Sequence, residues 1–212
     1  MQSLKFIIFS DFDGTITKID TLDKIITDVY SFEYYKFLEQ SLIENKLDYN
    51  NYLYDTFNNI KYNLTNLTSD IVDEYFFSFY NWTINSNINF YIISSGFKKI
   101  ISTLLPYVNK NIIYANNIEI KKKKWYVKLY DNINKISINK NAIINKLKNE
   151  FLDEQVKTIY IGDGLSDFTV IDNVDIIFCK ENSLFHKKCI EKNIKFYTFN
   201  TFNDIYKICI TL

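Results

Sequence analysis

The strongest constraint on the fold is that two short apolar runs each end in an acidic motif containing glycine. Phe6-Ile7-Ile8-Phe9 precedes Asp11-Phe12-Asp13-Gly14-Thr15, and Thr158-Ile159-Tyr160-Ile161 precedes Gly162-Asp163-Gly164-Leu165-Ser166-Asp167. Continuous apolar runs are typical of parallel strands that are buried on both faces. In open α/β sheets, ligands bind just beyond the carboxyl ends of the strands. We therefore expect both motifs at one edge of one sheet, facing a common ligand.

The remaining chain alternates helical and strand-like apolar patterns. Residues 17–84 have helical spacing and are expected to form an inserted helical module, whereas residues 1–16 and 85–212 are expected to form the core domain. Further strands are predicted at 90–93, 176–179 and 195–197, and helices at 71–76, 97–105, from 140 onward, at 184–192 and at the C-terminus. This alternation predicts an α/β fold with a mostly parallel sheet and helices on both faces. Residues 121–124, four lysines, are predicted to form a solvated hairpin turn between short strands.

Composition excludes several partners. The 25 basic and 25 acidic residues cancel, so no electrostatic footprint indicates nucleic acid or a membrane surface. Cys179, Cys189 and Cys209 are an odd, unpatterned set, which predicts buried free thiols in a reducing compartment. No signal peptide or membrane span is evident, so we expect a cytoplasmic protein. The oligomeric state is not readable from the sequence.

The aspartates of the two motifs favour a metal site that handles phosphate. Several carboxylates at one sheet edge repel each other unless a divalent cation holds them, and hard oxygen ligands suit Mg²⁺. Asp11 and Asp13, two residues apart at a strand end, point the same way and can divide labour between attack and proton transfer. Asp163 can bind the metal, and Asp167 lies about one helical turn beyond it. The alternative for an isolated Asp-x-Asp is a turn or a helix cap.

Ser94-Ser95-Gly96 and Lys140 are the candidates for binding a phosphoryl group. The serines follow a predicted strand and precede a helix, where a hydroxyl and backbone N–H groups can hold an anion. A serine that caps the helix is the competing interpretation. Lys140 begins a predicted helix, where a cation is mildly unfavourable unless an anion lies nearby; an exposed lysine is the alternative. Because His186 is the sole histidine, histidine triads and zinc sites are excluded.

Taken in order, these four motifs resemble the haloacid dehalogenase superfamily of phosphatases along nearly the whole chain. The resemblance implies a Rossmann-like core with an inserted type I helical cap. It also implies an aspartyl-phosphate mechanism, with Asp11 as nucleophile and Asp13 as general acid and base. Mg²⁺ would be bound by Asp11, Asp163 and the backbone carbonyl of Asp13. The transferring phosphoryl group would be held by Ser94, Ser95, Gly96 and Lys140, with Asp167 orienting Lys140 or a metal-bound water and Lys135 as the alternative lysine.

Within that superfamily the chain resembles the phosphoserine phosphatase-like group, and most of all the methionine-salvage phosphatases that cleave 2-hydroxy-3-keto-5-methylthiopentenyl-1-phosphate. Ile92-Ile93-Ser94-Ser95-Gly96-Phe97 and Ile113-Tyr114-Ala115-Asn116-Asn117 carry this likeness. Asp20 could serve as the cap acid of phosphoserine phosphatases. Their cap arginine falls at Thr56, however, and the chain contains no arginine. Because lysine cannot reproduce the bidentate guanidinium fork, phosphoserine ranks second.

The expected function is therefore Mg²⁺-dependent hydrolysis of a small phosphorylated metabolite. Thiamine and pyridoxal phosphates remain open as substrates. Aromatic residues of the insert, including Tyr54 and Phe57, either line a substrate pocket or form hydrophobic core. From a different class, a glycosyltransferase would use Asp-x-Asp to hold a metal and a nucleotide sugar, but the second aspartate motif speaks against it. Haloacid dehalogenation itself is disfavoured because that reaction needs neither Asp13 nor a metal.

Overall fold

The computed structural model describes residues 5–151 and 156–212. Residues 1–4 and 152–155 of the predicted core domain lie outside the described part. By their contacts, the residues divide into two compact units. Unit 1 comprises Met1–Lys18, Asp70–Ile93 and Asn139–Leu212, and unit 2 comprises Ile19–Ser69 and Ser94–Ile138.

The described residues contain seven strands and eight α-helices. The strands are β1 (Lys5–Ser10), β2 (Asn89–Phe97), β3 (Ile113–Lys121), β4 (Lys124–Lys128), β5 (Val156–Gly162), β6 (Ile176–Lys180) and β7 (Tyr197–Phe199). The helices are α1 (Thr21–Val29), α2 (Phe32–Ile43), α3 (Tyr49–Phe57), α4 (Phe76–Asn85), α5 (Lys98–Leu104), α6 (Lys140–Lys148), α7 (Leu184–Glu191) and α8 (Phe202–Cys209). None of the helices in this part of the chain has the length and apolar character needed to cross a bilayer.

Unit 1 is built on parallel strands in the order β2-β1-β5-β6-β7. The apolar runs predicted as buried strands occupy its centre, where Ile8, Phe9, Ile159 and Ile161 are completely buried. Its helices pack in two groups: α4 contacts α8, whereas α6 and α7 both contact the 3₁₀ segment Leu165–Asn173. A parallel sheet covered by separate groups of helices is the predicted α/β class, which is confirmed.

Unit 2 combines α1, α2, α3 and α5 with the antiparallel hairpin β3–β4. The hairpin is hydrogen-bonded to the segment that follows α3. The Trp125 N–H donates to Ile60 O at 3.0 Å, and the Asn59 N–H donates to Trp125 O at 2.7 Å. The predicted lysine turn is confirmed: Lys122 and Lys123 form it with φ of +49° and +63°. The predicted cap, residues 17–84, remains a prediction. Its segment 19–69 lies in unit 2 and its segment 70–84 in unit 1.

Three sequence predictions need correction. The helix expected over 71–76 begins only at Phe76, because Ile71 ends a short 3₁₀ turn and Val72 forms a β-bridge with Thr17. The last strand lies at Tyr197–Phe199 rather than 195–197. Strand β1 ends at Ser10, so Asp11 and Asp13 lie in the following turn and not on the strand itself.

The prediction of buried free thiols is confirmed for all three cysteines.

Candidate active site

The two aspartate motifs meet at one edge of unit 1 because their strands are neighbours. Strands β1 and β5 pair in parallel up to Ser10 opposite Ile161, and the N–H of Asp11 continues the ladder by donating to Ile161 O at 2.9 Å. Carboxylate oxygens of Asp11, Asp163 and Asp167 lie within 4.8 Å of one another. The structure therefore brings together three of the four aspartates singled out in the sequence. Asp13, half-buried, lies in the same turn as Asp11.

Gly14 and Thr15 position the carboxylate of Asp163. Gly14 has φ of +73°, and a Cβ atom there would lie 2.3 Å from Asp163 Oδ2. The hydroxyl of Thr15 donates to Asp163 Oδ1 at 2.6 Å. Glycine is thus required at position 14 both for its left-handed backbone and for the close approach of a carboxylate.

Asp167 is completely buried and accepts hydrogen bonds from four donors. Its Oδ1 accepts from Lys140 Nζ at 2.6 Å and from the Tyr160 hydroxyl at 2.5 Å. Its Oδ2 accepts from the backbone N–H groups of Asp163 and Gly164, both at 2.8 Å. Since both oxygens are occupied, the geometry favours an orienting role toward Lys140 over metal ligation.

Lys140 is the buried cation of this cluster. It begins α6, is only 4% exposed, and lies 3.0 Å from Asp11 Oδ1 as well as 2.6 Å from Asp167 Oδ1. Burial alone would lower the pKa of Lys140, but the Asp11 and Asp167 carboxylates outweigh burial and raise it above its ordinary value. A lysine at a helix start was expected to have an anion nearby, and here the carboxylates of Asp11 and Asp167 are that anion. Lys135, the alternative lysine, is exposed in unit 2.

The buried Asp11 carboxyl is under opposing influences. Burial raises its pKa, Lys140 counteracts that effect, and the charges of Asp167, Asp163 and Asp13 raise the pKa further. Three carboxyl groups thus lie close together, and Lys140 is paired with two of them, Asp11 and Asp167. The excess of negative charge and the oxygen-only donors of Asp11 and Asp163 fit a hard divalent cation.

The predicted phosphate-binding serines lie at the start of the unit 2 portion of β2. Ser94–Gly96 are part of the strand itself, and Ser94 Oγ, which is buried, accepts the Gly96 N–H at 2.9 Å. The alternative of a serine cap is wrong, because Phe97 occupies the N-cap position of α5. Asp20 is exposed and caps α1, accepting N–H bonds from Leu22 and Asp23.

Comparisons with known proteins agree with this geometry. No protein-family model matches the sequence. The chain is 25% identical over 221 residues to polyol phosphate phosphatase of Saccharomyces cerevisiae, covering 95% of this chain and 91% of that protein. It is 26% identical over 227 residues to 2-hydroxy-3-keto-5-methylthiopentenyl-1-phosphate phosphatase of Lysinibacillus sphaericus, covering 97% and 94%.

Among solved structures, a phosphoserine phosphohydrolase-like protein from Francisella tularensis superposes with a TM-score of 0.70 at 15% identity, covering 97% of this chain and 99% of that one. A haloacid dehalogenase-family hydrolase from Salmonella enterica also gives 0.70 at 16% identity, covering 94% and 69%. Fold and sequence relatives thus agree with the motif geometry. The chain has the fold of haloacid dehalogenase-type hydrolases and is similar in sequence to phosphatases.

Several hydrogen bonds made by or near the predicted site residues, within each unit, escaped the sequence analysis. Tyr160 was assigned only to a buried strand, yet its hydroxyl bonds Asp167. Asn116 is completely buried in unit 2 and donates from Nδ2 to Ser95 O at 2.8 Å, while Tyr49 donates to the same oxygen at 3.1 Å. A polar residue inside an apolar strand run was the one available signal for Tyr160. Tyr49 had no such signal because its contact joins residues distant in sequence.

His186 is half-buried, and its Nδ1 accepts the Asn182 N–H at 3.1 Å. The aromatic residues of the predicted insert divide between core and surface: Tyr52 and Phe57 are buried, with Phe57 edge-on to Phe97 at 5.4 Å, whereas Phe37 is 64% exposed. Core packing therefore accounts for Phe57.

Proposed function

We propose that this protein is a Mg²⁺-dependent phosphomonoesterase that hydrolyses a small phosphorylated metabolite through a phosphorylated Asp11. The observation that carries the proposal is the buried arrangement of Asp11 against Lys140, 3.0 Å apart, with Asp163 and Asp167 oxygens within 4.8 Å of Asp11. The Asp11 carboxylate is thereby held by a fixed cation, and the nearby Asp163 carboxylate offers further oxygen ligands for a metal ion. Such a carboxylate can act as a nucleophile toward phosphorus.

In the first step, an Asp11 oxygen forms a bond to phosphorus as the ester P–O bond breaks. Asp13 gives its proton to the departing alkoxide oxygen, so a neutral alcohol leaves. In the second step, Asp13 accepts a proton from water, whose oxygen attacks phosphorus and releases Asp11 and inorganic phosphate. Lys140 stays in place through both steps because Asp167 fixes it.

Asp11, Asp163 and the backbone carbonyl of Asp13 would hold the Mg²⁺ ion, which when bound neutralises charge on the phosphoryl oxygens. The proposed binding of the phosphoryl group by Ser94, Ser95, Gly96 and Lys140 rests on the family resemblance. We include in the proposal a cap formed by the segment 17–84 and, given three buried free thiols, a reducing, cytoplasmic setting.

For the substrate, relatives named for a methylthiopentenyl phosphate and for polyol phosphates make these the first candidates. Thr56, where phosphoserine phosphatases are expected to place arginine, is completely buried, and its hydroxyl has no hydrogen-bond partner among residues 5–151 and 156–212. A neutral side chain there gives a substrate carboxylate no charged partner. Phosphoserine, thiamine phosphate and pyridoxal phosphate are the alternatives that a substrate panel would rank.

The mechanism is tested by phosphate release from para-nitrophenyl phosphate in wild type, Asp11→Asn and Asp172→Asn. Asp172 is exposed on the 3₁₀ segment and serves as the matched control. We expect turnover that EDTA abolishes and Mg²⁺ restores, no turnover with Asp11→Asn, and wild-type turnover with Asp172→Asn. Metal-independent turnover, or an active Asp11→Asn variant, would reject the mechanism. Transfer of a sugar from a nucleotide donor would instead support the glycosyltransferase alternative.

A further inference from the structure

Tyr160 stands out because a completely buried phenol lies in the middle of a central parallel strand. The buried hydroxyl of a tyrosine needs a hydrogen-bond partner. Here that partner is Oδ1 of Asp167, 2.5 Å away and also completely buried. The same oxygen accepts from Lys140 at 2.6 Å. Tyr160 and Lys140 thus share one carboxylate oxygen.

The backbone explains how Tyr160 reaches Asp167. Side chains two apart on a strand point to the same face, so Tyr160 and position 162 face the same side of β5. A Cβ atom at Gly162 would lie 2.5 Å from Asp167 Oδ2, which places the Asp167 carboxylate directly over this face. Phe185 holds the Tyr160 ring edge-on, with centroids 6.4 Å apart, and its N–H donates to Asp163 O at 2.9 Å.

We propose that Tyr160 is a positioning residue that fixes Lys140 against Asp11 by holding Asp167. With Tyr160 in place, each Asp167 oxygen accepts from two donors. The Lys140 ammonium group then lies between Asp167 and Asp11 and contacts both carboxylates. Without the Tyr160 hydroxyl, Asp167 Oδ1 loses one of its two donors and accepts from Lys140 alone. The ammonium group then moves toward Asp167 and away from the nucleophile. This inference rests on the proposed function.

The test compares Tyr160→Phe with Tyr197→Phe, since both remove one hydroxyl from a strand of the same sheet. Tyr197 stacks on Phe178, and in the described part of the chain its hydroxyl makes no hydrogen bond. Losing one hydrogen bond to a charged group corresponds to about 10- to 100-fold in an equilibrium or rate. We expect kcat of Tyr160→Phe to fall by about that factor with KM within about threefold of wild type, and Tyr197→Phe to match wild type.

A double-mutant cycle separates positioning from simple packing. Tyr160→Phe is combined with Asp167→Asn, and both kcat and urea unfolding are measured for all four proteins. We expect the two substitutions to have non-additive effects on kcat and on the free energy of unfolding. In particular, Tyr160→Phe should lower kcat only slightly in a protein that already carries Asp167→Asn. Coupling in urea unfolding alone, or a kcat of Tyr160→Phe within twofold of wild type, would overturn the positioning role. Absence of Mg²⁺-dependent turnover in the wild type would instead reject the proposed function and this inference together.

Discussion

Replacing Gly14 by alanine tests the close contact between the backbone of Gly14 and the carboxylate of Asp163. The added methyl group would lie 2.3 Å from Asp163 Oδ2 and 2.8 Å from Asp163 Cγ. Ordinary contact begins at about 3.4 Å, so the carboxylate must move by roughly 1 Å. The left-handed φ of +73° adds about 1–2 kcal/mol of backbone strain for a residue with a Cβ.

A displacement of about 1 Å in a catalytic group can reduce turnover about 100-fold. For Gly14→Ala we therefore expect kcat on para-nitrophenyl phosphate to fall by about that factor, with a higher Mg²⁺ requirement because Asp163 is the group that moves. Urea unfolding should report a loss of about 1–2 kcal/mol, far less than full unfolding. The protein would be folded but poorly active.

Gly164→Ala provides the matched control. A Cβ atom there meets nothing closer than 3.7 Å, and the backbone of Gly164 is not left-handed. Turnover within a few-fold of wild type is expected. The reasoning is refuted if Gly14→Ala retains wild-type turnover and Mg²⁺ dependence, or if Gly164→Ala is impaired as severely as Gly14→Ala.

Three further changes probe other parts of the structure. Thr15→Val removes the hydroxyl that bonds Asp163 at 2.6 Å while keeping the side-chain shape, so the Mg²⁺ concentration for half-maximal turnover should rise about tenfold; an unchanged Mg²⁺ titration would contradict the positioning of Asp163. Changing residues 122–123 from Lys-Lys to Asn-Gly suits two successive positive φ angles, so urea unfolding should show a gain of about 1 kcal/mol without any change in kcat, whereas a loss of stability would contradict the hairpin geometry. Burial would raise the pKa of Asp175, but bonds from the Thr158 hydroxyl and N–H, both 2.7 Å, lower it below its unfolded value of about 3.9. Its contribution is therefore present at neutral pH and lost as the pH falls through the folded pKa, so Asp175→Asn should destabilise the protein at pH 7 and not at pH 2; equal destabilisation at both would contradict this linkage.

The sequence was sufficient to predict the strands that carry the site. Residues 6–9 and 158–161 are apolar at every position except Thr158, and every residue of the two runs except the half-buried Phe6 is buried, as expected for strands covered on both faces. The aspartates follow these strands directly, so their meeting at one sheet edge was predictable. Lys140 was identifiable because a lysine at a helix start indicates a nearby anion, which proved to be the carboxylates of Asp11 and Asp167.

The errors arose where tertiary contacts override local pattern. Ile71, Val72 and Phe76 have helical spacing, but Val72 bridges to Thr17 and the helix begins only at Phe76. Ser94–Gly96 were expected between a strand and a helix, whereas the structure keeps them within β2. Interactions such as Thr15 with Asp163, 148 positions apart, leave no periodic trace in a single sequence.

The identity of the residue that becomes phosphorylated is the most direct test of the mechanism. The enzyme is mixed with radiolabelled phosphoester and Mg²⁺, quenched in acid during turnover, and reduced with borohydride, which converts an aspartyl phosphate to homoserine. Mass spectrometry of the peptides should find homoserine at position 11, dependent on Mg²⁺ and absent from Asp11→Asn. Phosphate release that proceeds with no conversion at position 11, or with the label on Ser94, would contradict the assignment of Asp11 as nucleophile.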